Sequence, residues 1–171
     1  KYRWLAKGKG VRGYSSRKEA KEDLEDFVKS FGKDVLVAER LHGREFSVFG
    51  IADGKNVLPL EMAFQDYKKL NDGNNGTNTG GMGSYGPVPF VSGKLVHEIT
   101  DTIILPVAMK TNYRGFIYAG MILEKDSKFK VIEFNSRLGD PETQPMVMML
   151  QSNLYHPIKS ALEGKVNKSS I

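Results

Sequence analysis

The 171 residues contain no cysteine, which excludes disulfides and thiolate metal sites and fits a cytoplasmic protein. No stretch of about 18 apolar residues occurs, so no helix is expected to cross a membrane. No signal-peptide pattern opens the chain. Nor does an initiator methionine: it starts KYRWLAKGKGV, which suggests that an amino-terminal part of a longer protein lies outside these residues. No Gly-Lys-Ser/Thr follows the first glycines at P-loop spacing. His42, His97 and His156 have no metal-ligand spacing, and no Ser/His/Asp or Cys/His nucleophile arrangement can be argued. What is present is a 40% hydrophobic, 26% charged chain, enough for one sizeable core. The net charge of +5 suits phosphorylated small molecules and nucleic acid alike. Its basic residues are interleaved with acids, so a solvated surface is the better reading, with no nucleic-acid or membrane partner.

SSRKEAKEDLEDFVKSFG reads as a helix, with Ser16 and Glu19 at capping-box spacing and Gly32 as its stop. DVLVAERL reads as a short strand. REFSVFGIA and KNVLPLEMA form a hairpin across Asp53-Gly54. Asp72 to Pro87 is a Gly/Asn/Thr/Ser-rich loop, long enough to be either functional or disordered. SGKLVHEITDTIILPVAMKT returns to helix, kinked or ended near Pro106. RGFIYAGMILEK and FKVIEFN pair across Asp126-Ser127, and NLYHPIKSALEG closes with a short helix. Antiparallel hairpins with segregated helices predict an α+β fold.

VIEFNSRLGDPETQP carries the chemistry. Residues two apart on a strand share a face, which puts Glu133 and Asn135 about 6.5–7 Å apart along the backbone. Ile132 and Phe134 then face the core. A carboxylate and an amide oxygen form a hard ligand pair that suits Mg²⁺ rather than zinc. If the chain stays extended, Arg137 meets the same ion and can neutralise a phosphate in transfer. Polar residues on the solvent face of a hairpin would give the same spacing. The sequel favours function, because Asp140 and Glu142 follow within a turn.

Two glycine-rich stretches accompany it. In AKGKGV, Lys7 and Lys9 flank glycines that can expose N–H groups to phosphates, although taken alone a basic surface turn is the better reading. In NTGGMGSYGP, Gly80, Gly81 and Gly83 leave amides open to an anionic substrate, while Met82 and Tyr85 argue for an ordered loop. In AERLHGREFSV, Glu39 or Glu45 can accept hydrogen bonds from an adenine amino group or a ribose, or can simply face solvent.

Together, in this order, these motifs resemble the ATP-grasp part of the glycinamide ribonucleotide synthetase (phosphoribosylamine–glycine ligase) family over nearly the whole chain. VIEFNSRLGDPETQP looks like the family's metal and substrate segment, and QDYKK with NTGGMGSYGP like its QDHKR and glycine-loop region. RGFIYAGM resembles the strand before the metal hairpin, ERLHGREFSV the adenine hinge, and KYRWLAKGKGV the first glycine loop. The match departs at Tyr2-Arg3-Trp4, Lys7, Ala38 and Arg40, all on the nucleotide side. The resemblance implies an ATP-grasp fold with nucleotide bound between two subdomains, a lid over residues 1–41 and a larger part over 42–171. The family's amino- and carboxy-terminal domains fall outside these residues. It also implies ATP-dependent joining of glycine to 5-phosphoribosylamine in purine synthesis. Glu133 and Asn135 would hold Mg²⁺ or Mn²⁺, and Arg137 would steady the phosphoryl group. Lys1, Lys9, Glu39, Leu41 and Glu45 would meet ATP. Lys68, Asn78, Gly80, Gly81, Gly83, Asp140 and Glu142 would hold substrate. Another ATP-grasp carboxylate–amine ligase, or a non-catalytic nucleotide-binding module, would share much of this pattern.

Overall fold

The Asp53-Gly54 turn lays down the centre of the sheet. In the computed structural model, which describes residues 1–3, 10–126 and 128–167, strands β1 (Arg44–Asp53) and β2 (Val57–Asp66) run antiparallel across it. Gly54 takes φ 91°, a conformation that glycine adopts without a Cβ penalty. The Asp53 carboxylate closes the turn by accepting from the backbone N–H groups of Lys55 (2.9 Å) and Asn56 (2.7 Å). Strand β6 (Arg114–Leu123) pairs with the other side of β1, and β7 (Phe129–Asn135) pairs with β6. A two-residue strand, β5 (Ser84–Tyr85), adds to β2, giving the antiparallel order β5-β2-β1-β6-β7. The α+β expectation holds.

β1 is central, and it is buried on both faces from Phe46 onward. One face, through Phe46, Val48 and Ala52, packs against Val96, Ile99, Ile104 and Ala108. Those four lie on one long helical rod: α2 (Gly93–Ile99), a π-helical turn (Thr100–Ile104) and α3 (Leu105–Thr111). The expected disturbance near Pro106 takes the form of that π turn, in which the Leu105 N–H reaches the Thr100 carbonyl. A wider turn just ahead of the proline accommodates a ring that would crowd the preceding carbonyls. On the other face, Phe49, Ile51, Phe64 and Tyr118 pack with Met146 and Ala161. These come from α4 (Thr143–Met149) and α5 (Tyr155–Glu163). The first helix, α1 (Arg17–Phe31), starts where expected, with the Ser16 hydroxyl accepting from the Glu19 N–H.

Three expectations need correction. DVLVAERL forms no strand: Val35 makes an isolated bridge to Tyr2, and Val37 is 91% exposed. Its apolar side chains find no sheet to join among the described residues. The loop at 72–87 is partly structured, because β3 (Lys69–Asn71) and β4 (Asn75–Asn78) form a small exposed hairpin ahead of β5. Phe134 does not enter the core fully and is 40% exposed, as β7 is the edge strand of the five-stranded sheet. The α4 helix, seven residues long, is too short to stand out by periodicity.

Candidate active site

The second face of the sheet changes character along its length. Beneath α4 and α5 it is apolar; beyond them it is charged. Cross-strand register decides which residues meet there. Glu133 lies opposite Gly120 and Asn135 opposite Tyr118, despite a bulge that sets Ile132 aside. Gly120 lies opposite Ser47 on β1, and Ser47 opposite Phe64 on β2. Two-residue alternation then adds Glu45 and Asp66 to the same face. The spacing argument for Glu133 and Asn135 therefore holds in three dimensions. The Asn135 amide is 3.2 Å from the Glu133 carboxylate, and both are accessible.

β7 ends at Asn135, yet Arg137 still turns over this face. Its guanidinium lies 5.8 Å from the centre of the Tyr118 ring and donates to the Leu138 carbonyl at 2.9 Å. Lys68, just past β2, reaches Glu45 at 3.1 Å and Asp66 at 3.8 Å. Glu142 is 4% exposed, and one of its oxygens accepts from the Ser47 hydroxyl at 3.2 Å. Burial pushes the Glu142 carboxyl above the usual range, and the nearby Asp66 charge adds to this. Burial likewise raises Asp66, with Lys68 opposing. For Lys68, burial alone would lower the ammonium, but Glu45 and Asp66 outweigh it and the value rises.

The glycine loop and the Asp140–Glu142 turn dock against each other. Gly81 has φ 135°, and a Cβ there would collide with Pro141 Cδ. The Ser84 hydroxyl donates to the Pro141 carbonyl at 2.7 Å. Gly139 is close-packed too, since a Cβ would lie 2.5 Å from the Glu142 carboxylate. The loop is tied to Tyr67, one residue past β2, by hydrogen bonds with both Met82 and Gly83. The Gly81 N–H donates to the Thr79 hydroxyl at 3.1 Å, so the Gly81 amide is not open to a substrate as the sequence suggested.

Other sequence-assigned residues stand further out. The Asp140 carboxylate accepts from Gln144 at 2.8 Å, one turn along its own chain. Asn78 is exposed on β4, and Gly80 is exposed with open space around it. Glu39 pairs with Lys130 at 3.4 Å, and Leu41 is half-buried beside it in sequence. The Lys1 ammonium donates to the Ile132 carbonyl at 3.4 Å, next to Glu133. Lys9 lies outside the described residues. Asp66 and Ser47 were missed by sequence reasoning. Their signal was register: once β2, β1, β6 and β7 are paired in that order, both lie on the face that carries Glu133.

Among the described residues no three His, Asp or Glu side chains gather to cage a metal. An adjacent carboxylate and carboxamide are nonetheless what Mg²⁺ takes from a protein when phosphates and water complete its shell. The residues fit the ion.

An antiparallel sheet with helices on both faces, this charged face and a docked glycine loop is the architecture of an ATP-grasp domain. The profile of the phosphoribosylglycinamide synthetase ATP-grasp (A) domain matches residues 1–143, and the chain belongs to that family. It is 42% identical to the phosphoribosylamine–glycine ligase of Pseudomonas syringae pv. tomato over 96% of its own length and 40% of that protein's. The corresponding figures for the Caldanaerobacter subterraneus ligase are 44%, 95% and 41%. The chain thus spans about two-fifths of the curated relatives it matches. The crystal structure of the Thermotoga maritima phosphoribosylamine–glycine ligase superposes with a TM-score of 0.75 at 33% identity, covering 94% of this chain and 42% of that one. A Campylobacter jejuni biotin carboxylase shares the fold at TM-score 0.71 and 17% identity, covering 95% of this chain and 36% of its own.

Proposed function

We propose that this chain supplies the ATP-grasp part of a cytoplasmic enzyme that joins glycine to 5-phosphoribosylamine. A glycine carboxylate oxygen attacks the γ-phosphorus of ATP and ADP leaves, giving glycyl phosphate. The amine of phosphoribosylamine then attacks the acyl carbon, loses a proton and expels inorganic phosphate. The product is glycinamide ribonucleotide.

The carrying observation is that Glu133, Asn135, Arg137, Lys68 and Glu142 converge on one face beside the docked glycine loop. Phosphoryl transfer is chiefly a matter of positioning and charge neutralisation, and this face offers both. Glu133 and Asn135 would hold Mg²⁺, with Mn²⁺ as a substitute; when bound, the ion neutralises and orients nucleotide phosphates. Arg137 offers a planar cation to the transferring group. Lys68 receives the acid, with Gly80, Gly83 and Glu142 lining its seat and Asp140 at its edge. Residues 1–41 act as the lid and 42–171 as the catalytic wall. Lys1, Lys9, Glu39, Leu41 and Glu45 contact the nucleotide.

ADP release by the intact protein tests this. Release should require Mg²⁺ and be stimulated by glycine plus phosphoribosylamine. Stimulation by a different acid or amine would replace this reading with another carboxylate–amine ligase. The absence of any heat or thermal shift with Mg²⁺-ATP would replace it with a non-catalytic module.

A further inference from the structure

Lys68 is held at both ends, and one of its two acidic partners is far less exposed than the other. Its carbonyl accepts from the Thr79 N–H at 2.6 Å and from the Thr79 hydroxyl at 2.9 Å, which fixes the main chain against the glycine loop. Its ammonium lies between Glu45, at 3.1 Å, and Asp66, at 3.8 Å. The Glu45 side chain is 47% exposed, whereas that of Asp66 is 10% exposed. Asp66 is also set in place by its own strand: it lies opposite Ser84, whose hydroxyl bonds to the substrate-side turn at Pro141.

We infer that Asp66 is a positioning residue, a fixed anion that holds the Lys68 ammonium where the acid substrate arrives. This deepens the function proposed above and rests on it for the identity of that substrate. A carboxylate this desolvated needs a cation at hand. Glu45 is the partner free to turn away. If its carboxylate moves to a ribose hydroxyl, Lys68 keeps Asp66 and stays aimed. Other groups bear on the same ammonium and belong in any pH comparison: Glu133 and Glu142 on the acidic side, Arg137 on the basic side, and Tyr118 beneath them.

The test compares Asp66→Asn, Asp66→Glu and wild type in the intact protein. Steady-state kinetics should show KM for glycine raised about fivefold in Asp66→Asn, on the order of the loss of one close, part-buried ion-pair partner. KM for ATP should hold, and Asp66→Glu should recover part of the effect. Independently of turnover, competitive acylation read by peptide mass spectrometry should show Lys68 labelled several-fold faster in Asp66→Asn, relative to exposed Lys94. If the wild type shows no glycine-dependent ADP release, the proposed function falls, and labelling alone decides the role of Asp66. Unchanged Lys68 labelling in Asp66→Asn overturns the inference. So does a fall in thermal midpoint that accounts for the kinetic change, with Asp66→Glu no better than Asp66→Asn.

Discussion

The two sides of the site are held in different ways. The side proposed to hold metal and substrate is part of the five-stranded sheet, where backbone register decides what meets what. The side proposed to meet the nucleotide, from residue 34 to 42, has no regular structure beyond one bridge at Val35. It touches the sheet side through ion pairs and single hydrogen bonds, such as Glu39 to Lys130 and Lys1 to Ile132. α1 beside it has its own local clamp: Arg12 pairs with Asp23 at 2.5 Å and Asp26 at 3.0 Å, and its guanidinium lies 5.3 Å from the Phe27 ring centre. Loss of a side chain from the first side should therefore change chemistry or folding sharply. Loss from the second should change little besides nucleotide affinity.

Glu133→Ala should give the largest effect. Removing an electrostatic interaction made in the transition state costs about 3–4 kcal/mol, a loss of roughly 10²–10³ in kcat. Glu133 is exposed on an edge strand, so the thermal midpoint should hold. The measurement is glycine-dependent ADP release beside a thermal melt. Turnover within a few-fold of wild type would remove Glu133 from the metal role and erase the contrast between the two sides.

That contrast also explains what could be read in advance. That Glu133 and Asn135 share a face was legible because a two-residue period holds wherever a strand is regular, as β7 is from Glu133 to Asn135. The hairpin at Asp53-Gly54 was legible because its turn chemistry is local. Asp66 and Ser47 were not, since they reach that face only through the pairing of β2, β1 and β6, which no single segment encodes. The strand expected from DVLVAERL failed for the opposite reason: β-forming residues make a strand only when a neighbour accepts their hydrogen bonds. Phe134 misled similarly, because alternation gives direction but not the presence of a covering layer. Glu142 was assigned to substrate from the family's motif; its burial against Ser47 comes from the docked turn.

Asp53→Ala should be next, and in stability rather than chemistry. Asp53 is fully buried, and besides closing its turn it accepts from the Val166 N–H at 2.9 Å, tying the end of the described chain to the sheet. Orphaned donors of this kind cost about 1–3 kcal/mol in unfolding free energy. Burial pushes the Asp53 carboxyl up, but the N–H groups of Asn56, Lys55 and Val166 more than offset this and hold it below 3.8. Its stabilising share is thus fully present above the unfolded value of 3.8 and is lost as pH falls through the depressed folded value. Acid titration of the melt should show a loss in wild type that is absent in Asp53→Ala.

Glu142→Gln should give a smaller effect of opposite sign. The folded carboxyl titrates above its ordinary 4.5, so its ionisation disfavours the fold. Stability from this group is full below 4.5 and declines as pH rises through the raised folded value. Glutamine keeps the shape and removes that decline. The variant should melt slightly higher than wild type at neutral pH while binding the acid substrate more weakly. A lower midpoint with unaltered KM for glycine would make Glu142 a structural rather than a substrate-side residue.

Glu39→Gln should do least to the fold and so presses hardest on the comparison. Its side chain is 75% exposed, and its partner Lys130 also has Glu124 at 3.2 Å. Removing one charge from an exposed pair whose cation keeps a second anion should leave the melt unchanged, at low salt as at high salt. Nucleotide affinity is the sensitive readout. If the Glu39 carboxylate accepts from the adenine amino group, the variant should bind Mg²⁺-ATP a few-fold more weakly by calorimetry, with KM for glycine unaltered. A shift in midpoint comparable to that of Asp53→Ala would instead mean that residues 34–42 are built into the fold as firmly as the sheet. The two sides would then differ in sequence pattern alone, not in how they are held.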